Sequence, residues 1–196
     1  MQAAFLGAIF DLDGVVTDTG KLHAIAWKET VDPLVSVPFD LTTDYREFIA
    51  GKPRIEGLKQ FLSSRDHVLS ENALKELSDF KNRRYLALVE HHGVRVNAEM
   101  LSRIAVYHAS GVKLAIASSS KNARAIIERA SLAFPGVVVD GNDVERLKLR
   151  PKPAPDIFRF AAALLDVDYS KCIVFEDSLE TLANVHPARG IYVEFL

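Results

Sequence analysis

The stretch FDLDGVVTDT, residues 10–19, ends an apolar run in two aspartates one residue apart. Side chains two apart on a strand point to the same side. Asp11 and Asp13 are therefore placed to face one spot just beyond the strand. Two carboxylates in a partly buried position repel each other and lose hydration. A hard divalent cation held by oxygen ligands is the natural offset. Further along, Ser118-Ser119-Ser120-Lys121-Asn122 closes a second apolar run, and Glu176-Asp177 closes another. Between them, RPKPAPDIF puts Lys152 just before a helix expected to start around Pro155. Carboxylates, a hydroxyl, an ammonium and a helix N-terminus at one edge suit a metal, a phosphate and a nucleophile.

The elements that must position these groups are short apolar runs: AFLGAIF (4–10), VKLAIA (112–117), GVVVD (136–140), KCIVFED (171–177) and GIYVEFL (190–196). Most are near-continuous rather than alternating, which is how strands buried on both faces read. Helical patterns fall between them, at 121–132, 154–165 and 179–185. Alternating strands and helices predict an α/β fold, a doubly wound parallel sheet. Residues 20–98 lack strand runs and show helical spacing instead: His23, Trp27 and Val31, then Phe48 to Phe61, then Leu74 to Leu88. Ser70 is placed to cap the last of these helices, which ends near Gly93. The expected organisation is a core of residues 1–19 and 99–196 with a helical cap of residues 20–98. An insertion at that edge falls above the C-terminal ends of the strands, where such sheets bind ligands.

Bulk properties narrow the function. The chain has 196 residues and a formal net charge of −2, so no basic field invites nucleic acid or an anionic membrane. No stretch approaches the roughly 20 apolar residues of a membrane helix. The N-terminal run lacks the basic start of a signal peptide. The lone Cys172 excludes an intramolecular disulfide and fits a reducing compartment. A soluble cytoplasmic monomer is expected.

Taken in order, DLDGVVTDT, SSSKNA, KPAPDIF and FEDS resemble the four motifs of the haloacid dehalogenase superfamily. The longer stretch DGVVTDTGKLHAIAWK, with GKPR and SSSKN, resembles its β-phosphoglucomutase family. YREFIAGKPRIEGLKQFL resembles the subgroup labelled β-phosphoglucomutase family hydrolase. The resemblance implies a core of the family's Rossmann-like type with an inserted helical cap. It makes Asp11 the nucleophile that takes the phosphoryl group, and Asp13 the general acid and base. It gives Mg²⁺ to Asp11, the Asp13 backbone carbonyl, Glu176 and Asp177, and the transferring phosphoryl oxygens to Ser118 and Lys152. Substrate contacts would come from Thr19, His23, Arg54, Lys81, Ser120, Lys121 and Asn122, with Arg54 and Ser120-Lys121-Asn122 as a distal anion clamp. Gly14 would let the backbone turn tightly against the phosphate.

Two departures stand out. Ala50 occupies the position before Gly51 where β-phosphoglucomutases carry a lysine, although Lys52 is near. After Asp177 the usual small Ala-Gly pair is replaced by Glu180-Thr181. Other residues read as structure: His91-His92, Arg83 and Arg84 as solvated, Trp27 and Cys172 as core. The implied reaction is Mg²⁺-dependent phosphoryl transfer on a small sugar phosphate, interconverting β-glucose 1-phosphate and glucose 6-phosphate. The alternative is a phosphatase of the same fold acting on a small sugar phosphate. A non-catalytic sugar-phosphate sensor is disfavoured, because a binding module needs neither a nucleophile nor its acid-base partner.

Overall fold

A computed structural model describes residues 5–194. The chain divides into two compact units, one of Met1–Asp18 with Val94–Leu196 and one of Thr19–Gly93. Residues 94–98, read from sequence as the end of the helical block, lie in the first unit. There Val96 bridges to Thr17, and the Asn97 N–H donates to the Val16 carbonyl.

The first unit is built on five parallel strands: β1 (Gly7–Phe10), β2 (Lys113–Ala117), β3 (Val137–Val139), β4 (Cys172–Glu176) and β5 (Arg189–Tyr192). Their order across the sheet is β3-β2-β1-β4-β5. Successive connections run to one side of β1 and then to the other, so the sheet has a switch point at its centre. The apolar runs are continuous because both faces of the central strands are covered. On one face Ile9, Ala115, Val139 and Val174 meet Ile157, Phe158 and Ala161 of α7 (Asp156–Leu164). A fully buried side chain of the size of Phe158 contributes about 1.5–3 kcal/mol. On the other face Phe10 and Phe175 stack 4.8 Å apart, with Tyr107 of α4 (Ala98–Ala109) tilted against both.

The helices of this unit are shorter than the sequence pattern suggests. The pattern at 121–132 yields only α5 (Ala123–Arg129), and that at 179–185 only α8 (Leu179–Leu182). Between α5 and α7 the short α6 (Gly141–Arg146) starts at a reciprocal capping box of Asp140 and Asp143. The last strand ends at Tyr192, while Phe195 and Leu196 of the expected run, like Ala4 of the first, lie outside the described residues.

The second unit is helical, with α1 (Thr19–Val31), α2 (Arg54–Ser63) and α3 (Glu71–His92), plus a π-helical turn at Tyr45–Ile49. Its core joins Trp27, Phe39, Leu58, Phe61, Leu62 and Leu74. Ser70 caps α3 as expected, accepting the Ala73 N–H at 3.3 Å. His91 and His92 are exposed. Arg84 pairs with Glu29 on the surface of this unit.

Candidate active site

Asp11, Asp13, Ser118, Glu176 and Asp177 sit at or just past the C-terminal end of a strand, and Lys152 lies in the loop before α7. Asp11 follows β1, and its N–H donates to the Phe175 carbonyl of neighbouring β4 at 2.9 Å. Asp13 lies in the tight turn that follows, so turn geometry rather than strand alternation directs the pair. Thr17 closes that turn by donating from Oγ1 to the Leu12 carbonyl at 3.1 Å, and Gly14 donates its N–H to the Thr17 carbonyl at 2.7 Å. Ser118 follows β2 and donates from Oγ to Asp13 Oδ2 at 3.3 Å.

Gly14 has φ +95°, a left-handed conformation that favours glycine. A Cβ there would come within 2.1 Å of Asp177 Oδ2. The close approach at Gly14 is therefore made by a carboxylate from β4's loop, which draws Asp177 in beside the Asp11–Asp13 turn.

Lys152 is the hub. Its Nζ lies 2.5 Å from Asp11 Oδ1 and 2.7 Å from Glu176 Oε2, with the Phe158 ring 4.8 Å away. All three charged groups are nearly solvent-free, at 3%, 6% and 1% exposure for Lys152, Asp11 and Glu176. The second oxygen of Glu176, Oε1, accepts the N–H groups of Asp177 and Ser178, both at 3.1 Å. Glu176 thus ties the ammonium to the loop that presents Asp177.

One ammonium faces more negative charge than it balances. Burial pushes the Asp11 carboxyl up to about 8; Lys152 pulls against this, while Glu176 and Asp13 add to it. Burial, with Asp11 and Glu176, likewise pushes Asp177 up to about 9. Burial opposes the charge on Lys152, but Asp11 and Glu176 outweigh it and hold its pKa above the ordinary lysine value. One oxygen from each of Asp11, Glu176 and Asp177 falls within 4.8 Å of the others. Clustered, buried, oxygen-only and short of positive charge, this set fits a hard divalent cation.

A stability prediction follows from the sign of these shifts. Folded Asp11 and Asp177 hold protons that the unfolded chain releases at ordinary carboxylate pH. The cation-free protein should therefore lose stability as pH rises from about 4 to about 9, with no further loss from these groups beyond. Added divalent cation should restore it, most at the alkaline end. Melting curves in EDTA and in Mg²⁺ at about pH 5, 7 and 9 check this. Equal cation effects at every pH would contradict it.

The remaining expected residues divide between the units. Ser120 and Asn122 form a turn in the sheet unit, where Ser120 N–H donates to Ser118 Oγ at 3.0 Å and Asn122 N–H to Ser120 Oγ at 3.2 Å. Lys121 pairs with Glu145 at 2.9 Å in an exposed salt bridge. Arg54 belongs to the helical unit, so it and residues 120–122 form no cluster within either unit. Arg54 opens α2 and donates from Nη2 to Asn82 Oδ1 at 2.9 Å. Burial lowers its pKa, with Asp79 opposing. Thr19, fully buried, is the first residue of α1. Lys81 is also buried, with its Nζ 2.5 Å from His23 Nδ1. Lys52 is tied to its own unit through the Glu47 carbonyl at 2.6 Å and Gln60 Oε1 at 2.9 Å, where it fastens the turn that holds Ala50. Thr181, in the second departure, is buried in α8 and donates its N–H to Ser178 Oγ at 3.2 Å. That change lies behind the acidic loop and leaves its carboxylates in place.

Trp27, read from sequence as core, is buried as expected, and Tyr85 is fully buried in the same unit. Trp27 lies four residues after His23 on α1, and Tyr85 lies four after Lys81 on α3. That spacing puts each aromatic beside its polar partner on one helix face.

Residues 6–183 match the family model of haloacid dehalogenase-like hydrolases. A β-phosphoglucomutase of Mycobacterium tuberculosis is 34% identical over 195 residues, covering 89% of this chain and 74% of the relative. A phosphorylated carbohydrates phosphatase of Thermotoga maritima is 32% identical over 193 residues, covering 95% and 81%. The crystal structure of a β-phosphoglucomutase from Clostridium difficile superposes with a TM-score of 0.82 over 97% of this chain and 85% of that one. At 24% identity it bears on the fold alone.

Proposed function

The chain belongs to the haloacid dehalogenase-like hydrolases, and from that footing we propose that it moves a phosphoryl group between oxygens of a sugar phosphate by way of Asp11. The observation that carries this reading is Lys152, buried between Asp11 and Glu176, with Asp177 alongside and Ser118 reaching Asp13. Phosphoryl transfer asks for positioning and charge neutralisation above all, and this cluster offers both.

In the proposed reaction an Asp11 oxygen attacks phosphorus, and the bond from phosphorus to the leaving sugar oxygen breaks. Asp13 gives that oxygen its proton, then takes one from the sugar hydroxyl that attacks the aspartyl phosphate. Lys152 and Ser118 hold the equatorial oxygens of the transferring group. Asp11, the Asp13 carbonyl, Glu176 and Asp177 would hold Mg²⁺, which supplies charge neutralisation when bound. Thr19, His23, Arg54, Lys81, Ser120, Lys121 and Asn122 are proposed as substrate contacts.

The substrate proposed is β-glucose 1-phosphate, converted to glucose 6-phosphate through the bisphosphate. The mycobacterial relative's name favours it. A second reading, hydrolysis of a small sugar phosphate, is favoured by the name of the Thermotoga relative and by Ala50 with Lys52 held elsewhere. The two differ in whether water or a sugar hydroxyl reaches the aspartyl phosphate.

Arg54 separates them. Its planar fork suits a phosphate that is bound but not reacting. In a mutase, Arg54→Ala should cut isomerisation of β-glucose 1-phosphate by about 10²-fold or more, the scale of a charge-assisted bidentate grip. Hydrolysis of acetyl phosphate, which has one phosphoryl group, should change little. A coupled glucose 6-phosphate assay with bisphosphate primer, run beside phosphate release, reads both. Phosphate release without isomerisation in the wild type would select the phosphatase. Equal losses of both activities in the variant would remove the distal-clamp role.

A further inference from the structure

Helices α1 and α3 bring their two polar–aromatic pairs together in one cluster, in which Lys81, Trp27 and Tyr85 are buried and His23 is half-buried. Lys81 Nζ lies 2.5 Å from His23 Nδ1, 5.1 Å from the centre of the Trp27 ring and 5.0 Å from that of Tyr85. The His23 and Tyr85 rings stack 3.8 Å apart at an interplanar angle of 15°. Trp27 and Lys81 are each 2% exposed, and Tyr85 is fully buried.

We propose that Trp27 and Tyr85 are positioning residues: they seat the Lys81 ammonium between their ring faces, against His23 Nδ1, and so fix His23 as the neutral Nε2–H tautomer. A buried ammonium has lost its water. The negative faces of two aromatic rings replace part of that hydration, and tryptophan is the best of the side chains at this. An ammonium has only donors to give, so Nδ1 must accept and the ring proton stays on Nε2. Burial, then the charges of Lys81 and Arg54, holds the His23 pKa well below its ordinary value, in agreement. The outcome is an imidazole whose Nε2 edge is a neutral hydrogen-bond donor, suited to an oxygen acceptor such as a sugar or phosphate oxygen. The stacked Tyr85 ring also sets the plane of the imidazole, and hence the direction of that donor. The catalytic consequence rests on the assignment of His23 and Lys81 as substrate contacts; the seat itself does not.

Ordinary core packing of Trp27 and Tyr85 makes a different prediction, because packing depends on shape and a cation–ring contact depends on ring electrons. The chain has one tryptophan, so growth on fluorinated tryptophan replaces Trp27 alone with little change of shape. Ring nitrogen shifts of ¹⁵N-histidine protein, with His23 identified by its loss in His23→Gln, report the tautomer without substrate. We expect an unprotonated Nδ1 and a protonated Nε2, with the signals displaced by Lys81→Met. Mono-, di- and trifluorinated Trp27 should displace them progressively in the same direction. They should also lower kcat stepwise, by about two- to thirty-fold in total, with circular dichroism unchanged. Tyr85→Leu should do the same, and the ring-keeping Tyr85→Phe should rescue it. Flat nitrogen shifts and flat kcat across the fluorinated series would overturn the seat. Fluorine-dependent shifts without sugar-phosphate isomerisation in any variant would keep the seat and overturn the activity reading instead.

Discussion

Asp11→Asn is expected to lose at least about 10⁴-fold in turnover, the scale of removing a covalent nucleophile, while the protein stays folded. The amide keeps the shape of the carboxylate but cannot accept a phosphoryl group. Stability should not fall. Asp11 is buried beside Glu176 and Asp13, and burial with those charges outweighs Lys152 in setting its titration. Asparagine is neutral like the protonated Asp11 and has no proton to release on unfolding, so the melting temperature of the cation-free protein should be unchanged or higher near neutral pH and higher toward pH 9. Turnover within about tenfold of wild type, about 1.4 kcal/mol in barrier, would take the nucleophile's role from Asp11.

Lys152→Met is expected to damage the fold as well as the reaction. Methionine keeps most of the chain length beside Phe158 but leaves Asp11 and Glu176 buried without their ammonium. Removing one partner of a buried ion pair costs about 3–5 kcal/mol. The loss should be largest in EDTA near pH 8 and shrink toward pH 5, where the raised carboxyls take up protons instead. Urea unfolding at the two pH values measures it. Wild-type stability of the variant near pH 8 would mean that the carboxylates do not depend on Lys152.

The contrast between these variants explains what the sequence made readable. Carboxylates, serine and lysine at the ends of apolar runs are visible as residue types, and parallel strands bring such ends to one edge. The pairing inside the cluster is not visible in that way. Nothing in RPKPAPDIF says that Lys152 reaches both Asp11 and Glu176, because that depends on how α7 lies on β1, β2 and β3. Gly14 was legible as a turn, but its partner is Asp177, a residue 163 positions away that only tertiary packing supplies.

Fold elements divide in the same manner. The central strands were legible because burial on both faces leaves no polar alternation to confuse, whereas β5 is largely exposed and was carried by its apolar residues alone. Helix α6 is six residues long and mostly polar, so only the Asp140–Asp143 capping box announces it. Helix α4 carries a cap, Asn97, and the spaced apolar pair Met100 and Ile104. Its start beside the helical block hid the return to the sheet. In the helical unit the core aromatics were legible by spacing. The second property of Trp27 and Tyr85, that they face a cation, requires knowing that α1 and α3 are neighbours.

Direct detection of phosphate on Asp11 tests the central claim most closely. The protein would be mixed with Mg²⁺ and glucose 1,6-bisphosphate, quenched in acid within milliseconds, treated with borohydride and analysed by peptide mass spectrometry. Borohydride reduces an acyl phosphate to an alcohol, so the predicted result is homoserine at position 11 and at no other aspartate, absent in Asp11→Asn. Turnover of the bisphosphate with unmodified Asp11, or with modification at Asp13 or Asp177 instead, would contradict the account.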